Sequence, residues 1–417
     1  MASFAWGVSY LKDGILSLFA INLLSIAVSL VFMTLALRDH LRAAVITMCH
    51  ALVFTVTMAC LCDFPADGIP RSVHMNLLPV GIATFLVSSR EGWYLHVVLP
   101  VIVVIIFLVF QLNLAPVPWP ELAVPVQTRE IGVWVNNLTG IGGTSIVVAM
   151  MQSNMNARRA LEHDMRQAIA RGDYYIDYQP QVDALGRIFG AEALLRWQHP
   201  ARGTVAPHEF VPLAEETGLI IPIGEQVLRM ACAQLAEWAK APETAGLIIA
   251  VNVSASQFRQ PDFVRQVTGI VTLSGADPSR LKLELTESAL ADDTEAVTKK
   301  MQALRELGIS WSLDDFGTGY SSLSSLKSLP LDQLKIDKSF VCDLLVDDRS
   351  MAIVDTIVQL SRSLDLAVIA EGVETEAQLK ALQRAGCSSY QGFLFSAPLP
   401  IADLNDLIER GAAQISA

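Results

Sequence analysis

Two uninterrupted apolar runs dominate the first third of the chain: no charged residue occurs from Ile15 to Leu37, and none from Ala43 to Cys62. Each is long enough, as a helix, for a hydrocarbon core that needs ~20 apolar residues. Three weaker runs follow: about Ser72 to Ser88, interrupted by Pro79 and Gly81; about Tyr94 to Leu114; and about Ile131 to Met151. The last carries Asn136, Asn137, Thr139, Gly140 and Gly143, small and polar residues that suit a face packed against neighbouring helices. The pattern predicts an α-helical transmembrane bundle of five helices over residues 1–151.

After Met151 the pattern changes. Residues 152–172 read as a polar helical connector with Leu161, Met165 and Ile169 spaced as one apolar stripe, able to pack on the following domain or on a second chain. Eight short β-type runs then appear: Tyr174 to Gln179, Ile188 to Leu194, Leu247 to Val253, Leu281 to Leu285, Ile309 to Leu313, Gln333 to Ile336, Ala367 to Ala370 and Ser389 to Gln391. Amphipathic helical stretches lie between most of them, among them Ile223 to Lys240, Ala289 to Leu307, Met351 to Leu364 and Thr375 to Ala385. The gap between the first two runs is too short for a helix, so they form a hairpin, and the rest alternate as parallel strand–helix units. Residues 173–412 are therefore expected to form an α/β barrel of the (β/α)8, TIM-like type with an antiparallel first pair, its site where the strands end.

Five spans place the two ends of the bundle on opposite sides of the bilayer. Arg38, Arg42, Arg90, Arg158 and Arg159 then fall on the barrel's side, against Lys12, Arg71 and Arg129 on the other, in line with the positive-inside tendency. The first run is longer than the apolar core of a secretory signal peptide and has no evident cleavage site. Pro116, Pro118, Pro120 and Pro125, with Trp119 and Trp134 nearby, read as an extended connector at the membrane surface or a ligand-facing cap. Cys49, His50, Cys60, Cys62 and His96 include soft-metal ligands, but buried thiols and internally hydrogen-bonded imidazoles are the plainer reading. No sensor family is identifiable in residues 1–150.

Composition agrees with a chain partly in lipid: 52% of its 417 residues are hydrophobic and only 17% charged. The formal net charge of −12 argues against a polymeric nucleic-acid partner, so an anionic substrate needs metal ions or single basic residues. The six scattered cysteines are no secreted disulfide framework, and Cys232, Cys342 and Cys387 fit a reducing compartment.

The chemistry gathers at the ends of the expected strands. Glu192, Asn252, Glu284, Asp314 with Asp315, Lys335, Glu371 and Gln391 each stand at or just before such an end, and a barrel brings those ends to one mouth. One such acid is more often a surface charge; the repetition over strand after strand is what favours a site. Carboxylates so gathered repel unless cations intervene, and an oxygen-only donor set selects a hard ion, Mg²⁺ or Mn²⁺.

These residues lie in Tyr178-Gln179-Pro180, Glu192-Ala193-Leu194 with Arg196, Asn252-Val253-Ser254, Glu284-Leu285-Thr286-Glu287-Ser288, Asp314-Asp315-Phe316-Gly317, Lys335-Ile336-Asp337, Glu371-Gly372-Val373-Glu374 and Gln391-Gly392-Phe393. In that order they resemble the EAL-domain phosphodiesterases of bacteria, over about residues 160–410. The resemblance implies hydrolysis of cyclic di-GMP to linear pGpG with two metal ions. It makes Glu192, Asn252, Glu284 and Asp314 ligands of one ion, Asp314 and Asp315 ligands of the second, and puts Lys335 and Glu371 beside the attacking water. Arg196 resembles a phosphate-contacting arginine, Gln179 and Gln391 resemble guanine or backbone contacts, Asp337 a supporting acid, and Glu287 the residue that steadies the loop from Asp315 to Ser322. A homodimer through the barrel and a multi-pass location in the bacterial cytoplasmic membrane, with the barrel in the cytoplasm, are the corresponding expectations. Relatives that have lost metal ligands act as cyclic di-GMP receptors or interaction modules; none of those ligands is missing here, and no cyclase-type segment precedes the barrel.

Overall fold

A computed structural model describes residues 16–37, 41–63, 65, 68–88, 92–115, 126–290, 294–317 and 323–415 of the chain. They belong to two compact units, Met1–Ala157 and Arg158–Ala417.

In the first unit, helices occupy all five apolar runs: Leu16–Leu37, Leu41–Cys62, Leu77–Val87 after a 3-10 turn at Val73–Asn76, Leu99–Gln111 after a π turn at Tyr94–Val98, and Val126–Arg171. Among the described residues three stretches are long and apolar enough to cross a membrane, Ala43–Cys62, Tyr94–Gln111 and Arg129–Arg171. The third run is shorter: as an α-helix, Val73–Val87 rises ~22 Å against a core of ~30 Å. Its head is tied down by Asp63, whose Oδ2 accepts from the backbone N–H of Ser72 at 2.6 Å and of Val73 at 2.8 Å. Among the residues noted near 136–143, Asn136, Thr139 and Gly140 meet the segment Ser72–Asn76. Asn136 donates to Ser72 Oγ at 3.0 Å, Thr139 donates to Asn76 Oδ1 at 2.9 Å, and Gly140 lies so close to Met75 that a Cβ would stand 2.7 Å from its carbonyl oxygen. His50 is engaged internally, with Nδ1 2.8 Å from Ile46 O and Nε2 3.2 Å from Tyr94 Oη, and His96 stacks on Phe85. Cys49, Cys60 and Cys62 are buried free thiols. The proline-rich segment 116–125 lies outside the described residues.

The polar stretch 154–171 is no separate helix; it is the end of Val126–Arg171, because a change of polarity does not interrupt backbone hydrogen bonding. In the second unit its apolar stripe packs inward. Met165 and Ala168 are buried with Tyr174, Trp197 and Phe210, and Leu161 and Ile169 pack against the same cluster.

The barrel strands are β1 Tyr174–Asp183, β2 Ile188–His199, β3 Gly203–Val205, β4 Ile248–Asn252, β5 Leu281–Thr286, β6 Ser310–Phe316, β7 Gln333–Ile336, β8 Ala367–Ala370 and β9 Ser389–Tyr390. β1 and β2 form the antiparallel hairpin, turned by Asp183, whose Oδ1 accepts from the N–H groups of Leu185 and Arg187 at 2.8 and 3.0 Å. From β2 the sheet continues in parallel through β4 to β9, and β9 pairs antiparallel with β1 to close it. The barrel thus has eight strands plus β3, an outer strand on β2 that the sequence pattern did not indicate.

Strict alternation decides which face holds the chemistry. In β5, Leu281, Leu283 and Leu285 are buried in the apolar core while Lys282 and Glu284 take the opposite face; β6 repeats this with Trp311 and Leu313 against Ser312 and Asp314, and β7 with Leu334 and Ile336 against Gln333 and Lys335. The barrel interior is therefore unusually polar. Lys282 donates to Gln333 Oε1 at 2.9 Å, Ser312 donates to the same oxygen at 3.2 Å, and burial pulls the Lys282 ammonium below its ordinary range.

Candidate active site

One side chain organises the mouth of the barrel. The ammonium of Lys335, 1% exposed, lies 2.5 Å from Glu284 Oε2, 2.5 Å from Glu371 Oε1, 3.2 Å from Asp314 Oδ1 and 3.7 Å from Glu192 Oε1. Strand register assembles this group: Asn252 is paired with Glu284, Thr286 with Asp314, Lys335 with Ile369, and Glu371 follows β8 directly. Burial alone disfavours a charged lysine, but the four carboxylates outweigh it and hold the ammonium well above its usual range. One cation does not balance four clustered acids, two of which, Glu192 and Glu284, are buried. Burial pushes Glu284 up to about 8 against the pull of Lys335, and pushes Glu371 well above the ordinary carboxylate range.

Glu192 is held at both oxygens. Asn252 donates to Oε1 at 2.5 Å and Gln391 donates to Oε2 at 2.5 Å. It is not at the end of its strand: β2 runs on to His199, which carries Arg196 one pleat pair further along the same face. There Arg196 donates from Nε to Asp177 Oδ2 at 2.9 Å. Gln179, opposite Glu192 in the hairpin, accepts from Gln391 at 3.0 Å and donates to Ser396 O at 3.2 Å.

The second acidic pair is built differently. Asp315 has φ of +54°, a left-handed conformation rare outside glycine, and its N–H donates to Asp314 Oδ1 at 2.9 Å. Burial and the neighbouring Asp314 raise its carboxyl to about 6. Asp337 caps the helix Lys338–Cys342 by accepting from the Ser339 N–H at 3.0 Å; burial is outweighed by these bonds, and its carboxyl sits below the usual range. Glu287 accepts from the Gly317 N–H at 3.0 Å, at the root of the loop it was expected to steady; residues 318–322 lie outside the described residues.

Of the barrel residues singled out in the sequence, Gln179, Glu192, Asn252, Glu284, Asp314, Lys335, Glu371 and Gln391 are joined by direct contacts, while Arg196 is held by Asp177 and Asp337 caps the helix Lys338–Cys342. Two were missed: Asp177, which holds Arg196, and Gln181, fully buried, whose Nε2 donates to Gln391 Oε1 at 3.0 Å. The signal for both was their i, i+2 spacing with Gln179 on one strand, which puts all three side chains on one face.

Among the described residues, no three His, Cys, Asp or Glu side chains form a metal-ligand group; the acids close instead around Lys335. The donor set nevertheless fits a hard divalent ion. It is all oxygen, it carries excess negative charge, and Glu284 Oε1 is buried without a hydrogen-bond partner.

The family model described as EAL domain matches residues 162–398. MucR of Pseudomonas aeruginosa, named a bifunctional diguanylate cyclase/cyclic di-GMP phosphodiesterase, is 46% identical over 266 residues, covering 64% of this chain and 39% of its own. Escherichia coli DosP, named an oxygen sensor protein, is 40% identical over 266 residues, covering 64% of this chain and 33% of its own. The chain thus spans well under half the length of either. Among solved structures, a cyclic di-GMP complex of the PaMucR phosphodiesterase is 47% identical with a TM-score of 0.57, covering 59% of this chain and 99% of that one. The EAL enzyme Bd1971, bound to cAMP and cyclic di-GMP, is 31% identical with a TM-score of 0.58, covering 66% of this chain and 75% of its own.

Proposed function

The chain belongs to the EAL-domain family, and from that premise we propose that its barrel hydrolyses one phosphodiester bond of cyclic di-GMP to give linear pGpG. The observation that carries this is the set of four carboxylates, from Glu192, Glu284, Asp314 and Glu371, closed around Lys335 at the barrel mouth. Glu192, Asn252, Glu284 and Asp314 would hold one Mg²⁺ or Mn²⁺, and Asp314 with Asp315 a second. When bound, such ions activate water and offset charge developing on the phosphorus oxygens.

The chain's own residues do the rest. Arg196 binds a phosphate of the substrate, for which a guanidinium has the matching fork of donors. Gln179 and Gln391 line the site beside Glu192. Glu371, whose burial raises its proton affinity, accepts the proton of the attacking water, and Lys335 keeps that carboxylate in place and faces the developing negative charge.

The helical first unit anchors the barrel to the cytoplasmic membrane of a bacterium, with the barrel in the cytoplasm, and adjusts its turnover. The outward apolar residues Val101, Val104, Ile105 and Leu108, each 46–53% exposed, support a lipid-facing surface. The barrel works as a homodimer.

The full chain, purified in detergent with Mn²⁺ or Mg²⁺, is expected to convert cyclic di-GMP to pGpG, read by chromatography. Glu192→Ala should lower turnover by more than the ~10–100-fold typical of an outer-shell partner while the fold persists. Tight cyclic di-GMP binding without turnover would replace this reading by that of a receptor.

A further inference from the structure

The amide of Gln391 is polarised from behind. Its nitrogen gives both hydrogens away, one to Gln179 Oε1 at 3.0 Å and one to Glu192 Oε2 at 2.5 Å, and its oxygen accepts from Gln181 Nε2 at 3.0 Å. Turned over, the amide would aim its oxygen at a carboxylate and at a second carbonyl oxygen, with nitrogen facing nitrogen towards Gln181. Gln181 is 0% exposed, and its own Oε1 is buried with no hydrogen-bond partner. The hydrogen bond that its side chain does make is the donation to Gln391. A glutamate at position 181 would accept from the Gln391 nitrogen and compete directly with Glu192.

We propose that Gln181 is a positioning residue: by donating to Gln391 it fixes which end of that amide meets Glu192, and so holds the Glu192 carboxylate in the orientation that takes up a divalent cation. The inference rests on the metal-dependent reading of the site. Gln181 reaches Glu192 only through Gln391, so it acts by positioning.

Direct Mn²⁺ binding, measured by titration calorimetry on the full chain in detergent without substrate, separates the two claims. Gln181→Met, which keeps length and apolar packing but has no donor, is expected to weaken Mn²⁺ binding about threefold to tenfold, and Gln181→Glu more than tenfold, with the melting temperature of Gln181→Met near that of the wild type. In a Gln391→Ala background, Gln181→Met should have no further effect. Unchanged Mn²⁺ affinity in both Gln181 variants, additive losses in the double variant, or a wild type that takes up no Mn²⁺ would overturn the proposal. A wild type that binds Mn²⁺ and cyclic di-GMP without turnover would remove the hydrolase reading and leave this one to be decided by the same titrations.

Discussion

Asp177 and Arg196 pair across the β1–β2 hairpin at 2.9 Å, with side chains only 16% and 18% exposed. The pair, with a second bond from Arg196 Nη1 to Leu195 O at 3.0 Å, fixes a flexible arginine at the rim of the site. Charge-assisted hydrogen bonds contribute ~1.5–3 kcal/mol, so Arg196→Ala should raise KM for cyclic di-GMP roughly 10–100-fold with a smaller effect on kcat. Asp177→Ala should raise KM by less, about threefold to tenfold, because the arginine survives without its guide. A lowered KM in Asp177→Ala would mean that Asp177 competes with phosphate.

Lys335 is the only cation within ion-pair distance of Glu284, Glu371, Asp314 and Glu192 among the described residues. Removing one partner of a buried ionic group typically costs ~3–5 kcal/mol. Lys335→Met should therefore lower the melting temperature of the barrel in a chelator, and Mn²⁺ should restore most of the loss. Melting curves with and without Mn²⁺ test this; a deficit untouched by Mn²⁺ would count against the shared acidic site.

The raised carboxyls give metal-free stability a definite slope. Glu284 at about 8 binds its proton more tightly in the folded state than in the unfolded one, and Glu371 shifts the same way. Folding thus keeps protons that unfolding releases, and stability falls as pH rises from the ordinary carboxylate range towards 8. The barrel in a chelator should melt lower at pH 8 than at pH 6, by several degrees at roughly 2–4 °C per kcal/mol. Divalent ions, which bind the ionised acids, should stabilise more at pH 8 than at pH 6.

Gly392 follows Gln391 with φ of +157°, and a Cβ there would collide with the backbone nitrogen and oxygen of Val373. Neither atom is the end of a flexible side chain, so the backbone itself must move. Gly392→Ala should destabilise the barrel by ~1–3 kcal/mol and weaken Mn²⁺ binding with it, because Gln391 is carried along. Thermal melting and calorimetry of this variant check both.

Much of the barrel was legible because alternation in β5, β6 and β7 is strict, and a polar inner face against an apolar outer one leaves little choice of register. β1 is longer than its pattern indicated: Pro180 lies in the strand opposite Ala191, and the strand continues through Gln181 to Asp183. The same shortening hid Gln181, a polar residue whose role depends on a partner 210 positions away. The division expected at 151/152 followed a change in composition that lies inside the single helix Val126–Arg171. β3 is only Gly203–Val205, held by pairing with Trp197 to His199, and so short a strand has no periodicity of its own.

The closure of the barrel by its first strand also governs when the site can come into being. β1 must wait for β9, and Gln179 meets Gln391 across 212 positions of sequence. A nascent chain leaving the ribosome has already made Glu192, Asn252, Glu284 and Asp314 before Gln391, which holds the second oxygen of Glu192, exists. Contacts of such long range form late. Synthesis itself is thus a safeguard: a chain cut short between Asp315 and Ser389 carries most of the acids but lacks the strand that closes the barrel around them.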